Sequence, residues 1–203
     1  MPDTAAVSAA PAPPPAIGHP LSVEDVEDIA AYSEKPFEVV SGELNFTSPA
    51  SHIHGLVTME LAYLLKHHAR ANKLGTLVAA ETGFRLQHPG DPSEKLTVRA
   101  PDIAFLGVEK SALPAASSFA EVVPDLVVET LSPGDRASLV SEKTDWWLAC
   151  GVQEVWVVDP PNRRLTRHLP DGTSRGYKQD GVVEEVPVLP GLRLDLSEVF
   201  SES

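Results

Sequence analysis

A single cysteine, Cys150, occurs in the 203 residues. This excludes an intramolecular disulfide framework and any zinc cluster built from cysteines. Basic residues are scarce as well: 16 Lys and Arg stand against 29 Asp and Glu, a formal net charge of −13. No dense Lys/Arg run occurs. So large an acidic excess argues against a tight non-specific polyanion binder, whose affinity comes mainly from neutralised phosphates. Nowhere do about 18 consecutive apolar residues occur, so no spanning helix and no membrane partner are expected. The chain also lacks a Gly-x-Ser-x-Gly elbow, a Walker-type phosphate loop and a dinucleotide fingerprint. It has no internal repeat at solenoid periods. His52-x-His54 and His67-His68 have no convincing third partner for a zinc site.

What is present is 42% apolar and 22% charged residues, enough to bury a sizeable core, in a length that favours one domain. The first twenty residues hold six Pro and six Ala with Asp3 as the only charged side chain. Pro removes backbone donors and Ala adds little apolar area, so residues 1–20 are expected to form a disordered or extended tail, and 21–203 one domain. The tail has neither a basic n-region nor an apolar h-region, so it does not read as a secretory signal. A lone Cys150 without an export signal fits the reducing cytoplasm.

Ser22 is a plausible N-cap for a helix carrying Val23, Val26, Ile29 and Ala30 at helical spacing. Phe37–Val40 and Leu44–Phe46 flank Ser41-Gly42-Glu43 in a hairpin-like pattern. From Ser51 to Asn72 the period is helical, and His54 projects onto the apolar face about 60° from Val57. Strands are predicted over Thr76–Leu86 and Leu96–Leu106, separated by a turn-rich loop, and again over Asp125–Leu131. That last run is apolar on both faces, which places it in the middle of a covered sheet. A helix over Arg136–Cys150 ends before Gly151, and Val152–Val158 follows as a buried strand. The segment from Arg163 to Phe200 is expected to extend the same sheet. The order, helix, three strands, helix, strand (αβββαβ), predicts an α/β fold with a mixed central sheet flanked by helices and extra C-terminal strands.

The informative residues are charges placed where periodicity predicts burial. Glu129 alternates with apolar neighbours in Leu-Val-Val-Glu-Thr-Leu, Asp102 follows Pro101 at the entry of Ile-Ala-Phe-Leu, and Glu81 interrupts the preceding strand. An ionised carboxylate in such a place is costly unless it is paired, hydrogen-bonded or bound to metal. With Leu139 at 0° on a helical wheel, Lys143 falls at about 40°, Trp147 at about 80° and Trp146 at about 340°. Lys143 therefore lies within the apolar arc and needs an acid or an anion, and Glu129 is the nearest inward acid by topology. Two readings stay open at this point: a buried structural ion pair, or part of a site. The two tryptophans read as packing, as does Cys150.

Carboxylates on neighbouring strands form a hard oxygen site suited to Mg²⁺ or Mn²⁺. A Lys beside them can orient an attacking water or stabilise charge on a phosphoryl group. Asp135 and Arg136, just beyond the Glu129 strand, read as a solvated loop that could also face phosphate.

Pro101-Asp102, Glu129 and a Lys in this order of elements resemble the PD-(D/E)XK nuclease superfamily. More narrowly the chain resembles the bacterial Uma-type family of putative restriction endonucleases. The matching stretches are residues 37–44, 48–54, 81–86, 99–105 and 127–133, and the run from Lys143 to Pro160. The resemblance implies a restriction-endonuclease-like fold, dependence on Mg²⁺ or Mn²⁺, and DNA as substrate. Carried over by position, Asp102 and Glu129 would be metal ligands and Glu81 an additional acidic ligand. The superfamily's Lys two residues after the Glu is Leu131 here, so Lys143 would act as a migrated replacement. His54 is a further candidate beside the site. The rivals are a catalytically silent binding or assembly module on the same fold, and a hydrolase of small phosphate esters. A homodimer paired through the C-terminal strands is a further expectation.

Overall fold

The computed structural model describes residues 20–33, 35–47, 49–80, 82–90, 95–112 and 119–201. The expected tail at 1–20 lies outside the described residues except for Pro20, and Glu81 lies outside them altogether. Ser22 caps α1 (Val23–Tyr32): its hydroxyl accepts the Asp25 amide while the Asp25 carboxylate accepts the Ser22 amide, a reciprocal capping box. Strands β1 (Phe37–Val40) and β2 (Glu43–Phe46) form the expected hairpin. Its turn residues Ser41 and Gly42 have φ of 50° and 78°, the left-handed pair that matches strand twist. A Cβ on Gly42 would also come within 2.9 Å of the Pro20 Cβ. Helix α2 (His52–Ala71), capped by Ser51, buries Val57, Leu61, Leu65 and Ala69 along one stripe.

The two strands expected over Thr76–Leu86 and Leu96–Leu106 are each two strands in different sheets. The first divides into β3 (Gly75–Ala79) and β4 (Phe84–Arg85), the second into β5 (Val98–Arg99) and β6 (Ile103–Gly107). Pro101 has no amide hydrogen to donate to a ladder, and Gly83 sits where a Cβ would meet the Phe119 ring at 2.8 Å. At these points the chain steps from one sheet to the other. The smaller sheet has the order β2-β1-β5-β4.

After the short α3 (Val108–Ser111), β7 (Leu126–Thr130) leads through α4 (Ala137–Ala149) to β8 (Glu154–Asp159), followed by β9 (Arg164–His168) and β10 (Ser174–Lys178). These build a six-stranded sheet ordered β10-β9-β8-β7-β6-β3, with β7 in its interior as its two apolar faces require. Only the β7–β8 pair, bridged by α4, is parallel; the other neighbours run antiparallel. One face packs Leu126, Val128, Trp156, Val158 and Leu165 against α2 and the C-terminal segment. The other packs Ala104, Val127 and Val155 against Phe84 and the tryptophans of α4.

The C-terminal expectation holds for β9 and β10 and fails beyond them. Strands β11 (Val182–Val183) and β12 (Leu194–Asp195) pair only with each other, and α5 (Leu196–Val199) follows. Pro187 and Pro190 interrupt a ladder there. Arg167 instead holds this segment to the sheet: it donates to the Glu184 carbonyl at 2.8 Å and the Glu185 carbonyl at 3.2 Å. Its charge is met by Glu154, 1% exposed, which also accepts the Trp156 indole N–H at 2.8 Å. Replacing Arg167 by Ala strands a buried carboxylate, so we expect a loss of about 3–5 kcal/mol in urea-unfolding free energy. A loss no larger than that of an exposed Arg175→Ala control would refute this role.

Candidate active site

The step between the two sheets brings charged side chains together from five elements. Asp102 stands just before β6, one position beyond the Ile103–Val128 pair and so opposite Glu129 of β7. One Asp102 oxygen accepts the Thr130 amide at 2.6 Å, and the other lies 3.3 Å from His54 Nε2 of α2. The Thr130 hydroxyl accepts from Thr58 at 2.9 Å, a further link between α2 and β7.

Lys143 of α4 points inward, as the wheel required. Its ammonium is 2.9 Å from Glu129 Oε2 and 2.9 Å from Glu38 Oε1 of β1. The wheel's reference residue is corrected, however: Leu139 is 57% exposed. The buried side of α4 is centred on Thr144, Trp146 and Trp147, because those residues meet the sheet while the first turn overhangs it. Trp147 packs as expected and also donates its indole N–H to Glu129 Oε1 at 2.8 Å. Glu38 is the member that sequence reasoning missed. It also accepts the Ala100 amide at 3.1 Å, on the smaller sheet's side of Pro101. The available signal was an acid in the short apolar strand Phe-Glu-Val-Val.

The electrostatics follow from this crowding. Burial lifts the Glu129 carboxyl to about 7; Lys143 partly offsets this, while the charges of Asp102 and Glu38 add to it. Burial alone would lower Lys143, but Glu129 and Glu38 more than compensate and hold the ammonium above its ordinary range. The Asp102 hydrogen bond raises His54 above 6.5 despite its burial, with help from the Asp102 charge and the Thr130 backbone.

Three carboxylates therefore share Lys143 and His54, and Glu129 in particular lacks sufficient positive charge. Asp102 and Glu129 supply hard oxygens with lone pairs beyond those already engaged, which fits Mg²⁺ or Mn²⁺. Among the described residues no three His, Cys, Asp or Glu side chains form a ready-made shell, so water would complete the coordination, as Mg²⁺ prefers. The described helices include none long and apolar enough to cross a membrane. Asp135 accepts the Ser132 amide within its own loop, in keeping with a solvated turn.

A mixed sheet with α2 on one face and α4 on the other, and acids at the step between two sheets, defines an α/β fold of the restriction-endonuclease type. The model of the Uma2 family, described as a putative restriction endonuclease, matches residues 23–197, and the chain belongs to that family. No curated protein matches the chain. Among solved structures it is similar to a putative nuclease belonging to DUF820 from Anabaena variabilis, with a TM-score of 0.71 and 18% identity. That match covers 83% of this chain and 92% of the other and establishes the shared fold.

The raised Glu129 pKa carries a sign. Between the unfolded value of 4.5 and the folded value of about 7 the native state holds the extra proton, so stability grows as pH falls through this window. His54, raised above 6.5, contributes in the same direction, and its stabilisation is lost as pH rises through its folded pKa. We expect a higher urea midpoint near about pH 6 than near about pH 8, with the difference reduced in Glu129→Gln. An identical pH dependence in that variant would count against a neutralised Glu129.

Proposed function

We propose that this protein is a divalent-metal-dependent endonuclease that hydrolyses DNA phosphodiester bonds. The observation that carries the reading is the Lys143 ammonium held 2.9 Å from Glu129, with Asp102 opposite on the neighbouring strand. Asp102 and Glu129 would hold Mg²⁺ or Mn²⁺. Glu81, outside the described residues, enters only as an additional acidic ligand through the family resemblance.

The bound cation would supply charge stabilisation at the phosphoryl oxygens. Lys143 has three N–H donors, and Glu129 and Glu38 engage two of them. The third is available to orient the attacking water or to meet a non-bridging phosphate oxygen. Because the ammonium stays protonated, it acts as a donor and a charge and does not serve as the base. Glu38 fixes its direction. His54, 8% exposed and engaged with Asp102, is a positioning residue that orients a metal-holding carboxylate. Trp147 plays the equivalent part for Glu129.

One observation favours the rival binding module: Lys143 is already paired with both Glu129 and Glu38, as in a structural ion network. Purified protein incubated with Mg²⁺ or Mn²⁺ and single- or double-stranded DNA decides between them. We expect metal-dependent cleavage that a chelator abolishes and that falls about 100-fold or more in Asp102→Asn and in Lys143→Met. Equal cleavage by the wild type and by Asp102→Ala/Lys143→Ala would sink the mechanism. Absence of any carboxylate-dependent Mg²⁺ or Mn²⁺ binding would favour the module.

A further inference from the structure

The sheet face that carries Glu129 does not end at the acidic cluster. Glu129 is paired with Val157, Val157 with Thr166, and Thr166 with Gly176. Directly paired residues project from the same face, so this row leads from Glu129 across β8 and β9 to the edge strand β10. At about 4.8 Å per strand it spans about 14 Å, which corresponds to roughly four nucleotides of helical rise. An open groove of about 1020 Å³ lies here, floored by Val157 and Thr166, with Arg163, Arg164 and Lys178 as its cations and Asp159 and Asp180 as its acids.

The outer end of the groove has an unusual charge arrangement. Arg164 and Lys178 stand directly opposite each other in the β9–β10 ladder. Like charges in that position are destabilising. Neither has a salt-bridge partner among the described residues, although the chain carries a net charge of −13. Asp159, beside Arg164, is engaged instead by the Asn162 amide at 3.1 Å and the Asn162 side chain at 2.9 Å. At Gly176 the missing side chain makes room for the Arg164 guanidinium, which lies 3.3 Å from where a Cβ would stand.

We infer that this groove seats the DNA strand on one side of the scissile phosphodiester, with Arg164 and Lys178 binding its phosphates. The inference rests on the nuclease reading and deepens it: the substrate is a polynucleotide several phosphates long and not a small phosphate ester. Among the described residues Arg164 and Lys178 keep unpaired charge on this face even with Asp159 and Asp180 in the lining, and Val157 at its inner end is the strand partner of Glu129, an arrangement that matches a repeating anion better than a single one.

The test compares wild type and Arg164→Ala/Lys178→Ala on a labelled DNA duplex across a salt series, with bis(p-nitrophenyl) phosphate as the small diester. The ratio of kcat/KM on DNA to that on the diester is expected to fall about tenfold or more, and the salt slope of DNA binding to fall by about two. The melting temperature should hold or rise as the like-charge opposition is removed. An unchanged ratio and slope would overturn the groove, as would diester turnover that DNA fails to compete. If the wild type hydrolyses neither substrate, the nuclease reading fails by itself. Fluorescence anisotropy on the same duplex then decides the groove: weaker binding by the double variant supports it, and equal or absent binding overturns it.

Discussion

The Lys143 ammonium is the contact on which the arrangement depends. An inward cation on α4 is tolerable only because Glu129 and Glu38 both meet it, each at 2.9 Å. Glu129 belongs to the six-stranded sheet and Glu38 to the four-stranded one, so a single charge ties both sheets to the helix that crosses between β7 and β8. One turn further along, Trp147 occupies the other Glu129 oxygen while its ring packs edge-on against Phe84. Apolar packing and polar satisfaction are thus not separable here. A shift of α4 large enough to loosen the tryptophans would also pull the ammonium from its acids.

The same economy governs charge across the molecule. The acidic excess is locally concentrated where Glu38, Asp102 and Glu129 converge; burial first, and then the charges of Asp102 and Glu38, lift the Glu129 carboxyl to about 7 against the pull of Lys143. Under the proposed function a bound cation would relieve that strain, which would make the cost of burying these acids intelligible as preparation for binding. On the far side of the same sheet face, Arg164 and Lys178 invert the sign. Under the proposed function, a chain with a net charge of −13 would meet a polyanion through local groups and not through its global field.

Much of this was legible from residue order. The N-cap at Ser22, the α2 stripe, the interior position of β7 and the inward direction of Lys143 all rest on neighbours within a few residues, and all are found in the structure. The Lys143 inference survived the exposure of Leu139 because Trp146 and Trp147 lie on the same side of the wheel and carry the burial. Glu38 was not legible as a site residue. In a four-residue strand it looks like any hairpin acid, and what distinguishes it is an ammonium supplied from far along the chain.

Periodicity, caps and turn residues in the sequence by themselves determined most of the helices and strands, and the inward direction of Asp102, Glu129 and Lys143. Sheet membership was decided only in the tertiary structure: Thr76–Leu86 and Leu96–Leu106 each divide between two sheets, at Gly83 and Pro101. The reason is one of range. A strand's alternation is a local property, whereas its partner depends on which distant backbone donors and acceptors remain to be satisfied. The step at Pro101 that ends one ladder and begins the next leaves Asp102 opposite Glu129 and Glu38 beside Lys143, and so brings the acids of two sheets into one site.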